Sequence, residues 1–113
     1  VRLGVVTNCS ERLGRIAAEC VGVAFDAVVT AEQAGFYKPD PRPYRLGLQA
    51  LGVAPERCLF VAGSAYDLVG TAQVGLATYW HDRVGMAAPE GVAPPLAHET
   101  TLEPLRTWFD PVA

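Results

Sequence analysis

The 113 residues predict an α/β domain built on a parallel sheet, and three observations carry that expectation. Short β-prone runs alternate with segments whose apolar residues recur at helical spacing. Helix starts and stops fall at the right places: Ser10 and Asp40 before helical segments, Gly22, Gly52 and Gly75 after them. Chemically useful polar residues gather just past the ends of the apolar runs, where open parallel sheets place their ligands.

Taken in order, Leu3 to Val6 reads as a strand ended by Thr7 and Asn8. Ser10 can cap a helix, with Glu11 in its first turn beside the positive end of the helix dipole. Leu13, Ile16, Ala17 and Cys20 recur at helical spacing and are expected to form its buried face. Ala27 to Thr30 reads as a second strand, and Glu32 to Tyr37 as a loop. In Lys38-Pro39-Asp40-Pro41, Pro39 keeps Lys38 extended, Asp40 is a good N-cap and Pro41 suits the first helical position. That helix runs to about Leu51, with Tyr44, Leu48 and Leu51 on one face. Cys58 to Ala62 is an apolar run broken abruptly by Gly63 and Ser64, and it reads as a central strand. Asp67, Leu68, Gly70, Ala72 and Gly75 suit a small-residue helix packed close to a sheet. Ala77 to Trp80 is a further strand, with His81-Asp82-Arg83 at its end. Val84 to Leu96, rich in Pro and Gly, reads as an irregular surface loop. His98 to Phe109 reads as a short strand or turn and then a small helix carrying Leu102, Leu105 and Trp108.

Composition narrows the function classes. Half the residues are apolar, so the chain is expected to fold, and its length suits one small core. A net charge of -3 with no basic run argues against a nucleic-acid or polybasic membrane surface. No apolar run reaches the length of a membrane span, and the first six residues read as a strand rather than a secretion signal. Cys9, Cys20 and Cys58 are odd in number and have no zinc or Cys-x-x-Cys spacing, which suits a reducing cytoplasm. The sequence opens directly on a core strand, so residues 1–113 are expected to be the C-terminal part of a larger core domain.

In a parallel sheet Thr7, Asn8, Ser64, His81 and the Lys38 loop share one edge. A lysine beside hydroxyl and amide donors makes an anion site, for a carboxylate, a phosphate or an ionised enzyme carboxylate. Asp67 is expected to hold local geometry by accepting backbone or lysine hydrogen bonds. His81 is expected to be a satisfied or exposed histidine, and His98, the cysteines and Trp108 structural.

These residues resemble a known family, the haloacid dehalogenase-like (HAD) hydrolases, over nearly the whole chain. Thr7 at a strand end resembles the family's second motif, Lys38 in Lys-Pro-Asp-Pro the third, and Val61-Ala-Gly-Ser-Ala-Tyr-Asp67 with Gly70 and Gly75 the fourth. Within the family the 2-haloacid dehalogenase branch is the nearest. Thr7-Asn8 resembles its Ser-Asn pair, Lys38 with Tyr44 its Lys and Tyr, and Trp80 with Arg83 its Trp-x-Asn-Arg. Its Ser-Ser-Asn-x-x-Asp is matched in part: Ala62 and Ser64 stand for the first Ser and the Asn, and Asp67 is kept.

The resemblance implies a Rossmann-like HAD core lacking its first, nucleophile-bearing strand and any cap domain. The family's nucleophile is an Asp of an Asp-x-Asp-like motif on that strand, and Asp26, Asp40, Asp67, Asp82 and Asp110 all hold other positions. The missing strand lies between those that here are Leu3 to Val6 and Leu59 to Ala62, so an unpaired gap is expected in the sheet. Lys38, Thr7 and Asp67 are the implied catalytic residues; Asn8, Tyr44 and Ser64 are the implied substrate-binding residues for a small anionic substrate. No cofactor is implied. The alternative is a phosphatase of the same fold using Mg²⁺, although Ala62 and Gly63 replace the oxygen ligands such a metal needs. A non-catalytic fragment, a homo-oligomer, or a half that pairs with a complementing N-terminal segment are the remaining expectations.

Overall fold

The computed structural model describes residues 1–109. Asp110 lies outside them. Strands and helices alternate as expected: β1 (Gly4–Thr7), α1 (Glu11–Cys20), β2 (Ala27–Thr30), α2 (Ala31–Ala34), α3 (Pro41–Leu51), β3 (Leu59–Ala62), α4 (Asp67–Val74), β4 (Ala77–His81), β5 (Ala97–Glu99) and α5 (Glu103–Arg106). A single 3₁₀ turn, Pro55–Arg57, leads into β3.

Local chemistry sets the helix ends. Asp40 accepts the Arg42 N–H at 2.9 Å and caps α3, with Pro41 in the first turn. Such a cap contributes about 1 kcal/mol over alanine. Gly52 and Gly75 close α3 and α4 in the left-handed region, at φ 68° and 80°, where a Cβ would be strained. The segment read as the loop Glu32 to Tyr37 begins instead in a short helix. Thr30 ends β2 and its hydroxyl accepts the Gln33 N–H at 3.1 Å, so one residue serves both elements.

All strand pairs are parallel, but they form two separate pieces. Among the described residues β1 pairs only with β2, with Val6 opposite Val29. β3 pairs with β4 and β4 with β5, with Val61 opposite Tyr79 and Trp80 opposite His98. No ladder joins β1 to β3 among the described residues. Helix α3 bridges the pieces from one face. A Cβ on its Gly47 would meet a Val6 methyl at 2.6 Å, and its Leu51 packs against Gly4. Its Tyr44 and Leu48 form a core with Leu76, against which Phe60 and Val74 pack. A fully buried side chain of this size contributes about 1.5–3 kcal/mol.

The opposite face is thinly covered. Val61 of β3 is 44% exposed, and Leu3, just before β1, equally so. Helix α1 departs from expectation. Leu13, Ile16, Ala17 and Cys20 are exposed, while Gly14 and Ala18 are buried. The small side of the helix is seated on the sheet end: a Cβ on Gly14 would meet a Thr30 methyl at 2.6 Å. Periodicity reports an apolar stripe; it does not report whether anything lies against it.

The segment Val84 to Leu96 is irregular, but it is more than a surface loop. Met86 and Val92 pack on a second core of Ala65, Leu68 and Trp80. At the far edge the Tyr79 hydroxyl donates to the Thr101 carbonyl at 2.7 Å, and its ring meets Trp108 edge to face at 5.4 Å.

Candidate active site

The site is built around Lys38. Asn8, just beyond β1, clamps the lysine's backbone from both sides: its Oδ1 accepts the Lys38 N–H at 2.8 Å, and its Nδ2 donates to the Lys38 carbonyl at 3.1 Å. The Lys38–Pro39 peptide is cis. The lysine side chain is then directed inward, where Nζ lies 3.3 Å from Asp67 Oδ1 at the start of α4. Both side chains are largely buried, at 16% and 9% exposure. Nζ also lies 5.4 Å from the Phe60 ring centre and 6.0 Å from that of Tyr44, close enough for weak cation–π attraction.

Tyr44, from α3, completes the cluster. Its hydroxyl donates to the same Asp67 oxygen at 2.5 Å, a short bond of the charge-assisted kind. Burial pushes the phenol well above its ordinary value, and the hydrogen bond and charge of Asp67 push it further. Tyr44 is thus a neutral donor throughout the physiological range. The tyrosine is fully buried, and Gly70 of α4 lies flat against its ring.

Of the residues singled out from the sequence, the fold brings Lys38, Tyr44, Asp67 and Asn8 into one hydrogen-bonded group. Among the described residues the side chains of Thr7 and Ser64 make only local bonds: Thr7 Oγ1 to Cys9 Sγ at 3.2 Å, and the Tyr66 N–H to Ser64 Oγ at 3.3 Å. An open depression of about 340 Å³ adjoins Asn8, lined by Cys9, Ser10, Glu32, Phe36 and Tyr37. A second, of about 390 Å³, lies beneath Pro94 and Pro95. Neither is lined by Lys38 or Asp67.

A divalent cation requires converging oxygen ligands. Among the described residues no three His, Cys, Asp or Glu side chains converge to hold one. Asp67 Oδ1 already takes a hydroxyl and faces an ammonium, whose charge repels a metal ion. The other described aspartates are also engaged. Asp26 accepts the Leu3 N–H, and Asp40 is forked by Arg42, which holds it down to about 2.

The fourth, Asp82, belongs to a cluster the sequence reading missed. It is 4% exposed and accepts from Gly85 N–H at 2.8 Å, Met86 N–H at 3.0 Å and His98 Nε2 at 2.8 Å. The bond to His98 is the main cause that holds its carboxyl below the ordinary range. His98 stacks on Trp80 at 3.8 Å, and the buried Trp80 N–H has no partner among the described residues. The partners lie 16 residues apart across an irregular loop, and no spacing rule links them. The one local signal was Asp82 followed three residues on by Gly85, a turn pattern.

Residues 1–75 match the model of the haloacid dehalogenase-like hydrolases. The chain belongs to that family. It is 31% identical, over 89 residues, to the (S)-2-haloacid dehalogenase H-109 of Pseudomonas putida, covering 79% of this chain and 40% of that protein. The fold superposes on the L-2-haloacid dehalogenase RSc1362 with a TM-score of 0.85 and 26% identity, over 96% of this chain and 48% of the other. A HAD phosphatase from Thermococcus onnurineus matches with a TM-score of 0.80 and 27% identity, over 95% and 49%. The haloacid dehalogenase-like chain described here therefore spans less than half the length of these relatives. Its relatives include 2-haloacid dehalogenases, and its parallel α/β fold is theirs. No helix among the described residues is long and apolar enough to cross a membrane.

Proposed function

We propose that this haloacid dehalogenase-like chain carries the lysine half of a 2-haloacid dehalogenase-type site. The observation that carries the reading is the buried Lys38–Asp67–Tyr44 cluster, with the Lys38 backbone clamped by Asn8. In the complete site a carboxylate nucleophile, contributed by an N-terminal segment outside these residues, attacks the halogen-bearing carbon. The carbon–halogen bond breaks, halide leaves, and water hydrolyses the resulting ester. Lys38 keeps the nucleophile ionised by supplying a counter-charge in a partly buried place. Asp67 and Tyr44 hold the ammonium in position. Asn8 and Thr7 bind the carboxylate of a small anionic substrate or the leaving group, and Ser64 lines the same edge. Three free thiols, none of them fully buried, suit a reducing cytoplasm.

The second reading is a phosphatase of the same fold, favoured by the likeness to the Thermococcus onnurineus enzyme. The ammonium and hydroxyl already on Asp67 weigh against its metal. A third reading, a non-catalytic fragment, is separated by the same experiment.

The test combines this chain with a segment bearing an Asp-x-Asp-like motif. Halide release from 2-chloropropanoate and phosphate release from small phosphate esters are followed, with chelator and with Mg²⁺. Halide release indifferent to chelator is expected, with neither product from the 113-residue chain alone. Lys38→Met should lower the rate by roughly 10²-fold, the scale of losing one key electrostatic contact. Phosphate release that requires Mg²⁺ would transfer the chain to the phosphatase reading, and no turnover with any motif-bearing segment would leave the fragment reading.

A further inference from the structure

Gly70 sits in the interior of α4 with ordinary helical backbone, a place where glycine is the poorest helix former after proline. Its backbone does not require glycine, so its surroundings must. A Cβ built there would lie 2.2 Å from Tyr44 Cε2, 2.6 Å from Tyr44 Cζ and 2.7 Å from the Pro39 carbonyl oxygen. At the helix glycines Gly14 and Gly47 the nearest obstacle to a Cβ would be a single side-chain methyl group, at 2.6 Å. At Gly70 the obstacles are a rigid ring and a backbone oxygen.

Both obstacles lead to the same carboxylate. The Tyr44 ring carries the hydroxyl on Asp67 Oδ1, and Pro39 follows the lysine whose ammonium lies 3.3 Å from that oxygen. Asp67 itself begins α4, one helical turn before Gly70. A single helix thus supplies the acceptor and the bare surface against which both donors are seated. We propose that Gly70 is a positioning residue: it sets the distance of α4 from Tyr44 and from the Lys38–Pro39 segment, and so fixes where the Lys38 ammonium is held. The inference rests on the reading of Lys38 as the site's ammonium, but it concerns placement rather than reaction.

The chain makes this testable without turnover, because Lys38 is its only lysine. Acylation by N-hydroxysuccinimidyl acetate, followed by mass spectrometry, reports Lys38 against one internal reference, the Val1 amine. Gly70→Ala is expected to fold with the Tyr44 ring and the Lys38–Pro39 loop displaced, and to raise the Lys38-to-Val1 acylation ratio by about tenfold or more, the scale of losing one contact to a charged group. Gly14→Ala, whose Cβ would meet Thr30, Thr7 and Cys9 but neither Tyr44 nor Pro39, should leave the ratio unchanged. A folded Gly70→Ala chain with an unchanged ratio overturns the proposal, as does an equal rise in Gly14→Ala. Should Gly70→Ala fail to fold, the double variant with Tyr44→Leu removes the ring and leaves the Pro39 contact. Its ratio, compared with that of Tyr44→Leu alone, should still rise several-fold. No difference, or a double variant that also fails to fold, overturns the proposal in favour of a role in folding alone. An unchanged ratio leaves the dehalogenase reading intact, and absent turnover leaves the placement result intact, so the two failures are distinguishable.

Discussion

Removing the charge of Lys38 while keeping most of its bulk tests the central ion pair directly. At 3.3 Å and an effective dielectric of about 20, the attraction between Lys38 and Asp67 amounts to about 5 kcal/mol before desolvation is counted. Desolvation offsets much of that, so the net value of the pair is far smaller. The loss on breaking it is not small, because Lys38→Met leaves Asp67 as a buried carboxylate with one hydroxyl donor. That costs about 3–5 kcal/mol. Asp67→Asn should cost less, since the long lysine stem can carry its head toward water. The double variant has no orphaned charge and should be less destabilised than the sum of the two. A coupling energy of about 2 kcal/mol is expected, within the range for residues in contact. The assay is urea unfolding of the four proteins at sub-micromolar concentration, followed by tryptophan fluorescence. A coupling near zero, with Lys38→Met losing under about 1 kcal/mol, the usual worth of an exposed pair, would refute a buried pair.

Tyr44→Phe removes a hydroxyl bonded to a charged acceptor and should cost about 1.5–3 kcal/mol in the same urea assay. Because the folded phenol lies above its unfolded value of 10, its contribution is full below pH 10 and declines as pH rises further. Wild-type stability should therefore fall above pH 10, and Tyr44→Phe should flatten that limb; parallel limbs would contradict the assignment. Asp82 has the opposite sign: its folded carboxyl lies below its unfolded value, so its contribution is present above about pH 4 and is lost as pH falls further. Asp82→Asn should make the acid limb of a pH–melting curve shallower, and an unaltered limb would count against the His98 contact. The unpaired edges of β1 and β3, with Val61 and the stripe of α1 exposed, should make the chain self-associate at high concentration. Light scattering checks this, and Val61→Lys should reduce it; a monodisperse monomer at every concentration would show that the edges are protected.

Most elements and most of their ends, α2 excepted, were legible in the residues alone. Ser10, Asp40, Gly52 and Gly75 act on backbone groups within one turn of themselves, so their effect is written locally. The family was legible too, because Thr7, Lys38 and Asp67 keep their order and their strand and helix contexts. Thr30 escaped because one residue can end a strand and cap a helix at once. Tertiary structure alone decided which apolar faces are covered. The stripe of α1 has the period of a buried face, but its neighbours Gly14 and Ala18 allow closer approach to the sheet and take the contact. It decided too that the Tyr44 hydroxyl reaches Asp67, 23 residues away, and that Asp82 ties His98 to the neck of an irregular loop. Spacing in a sequence encodes a direction around one helix or strand. The separation between two such elements is set by what packs between them, here the bare surface of Gly70, and that quantity exists only once the chain has folded.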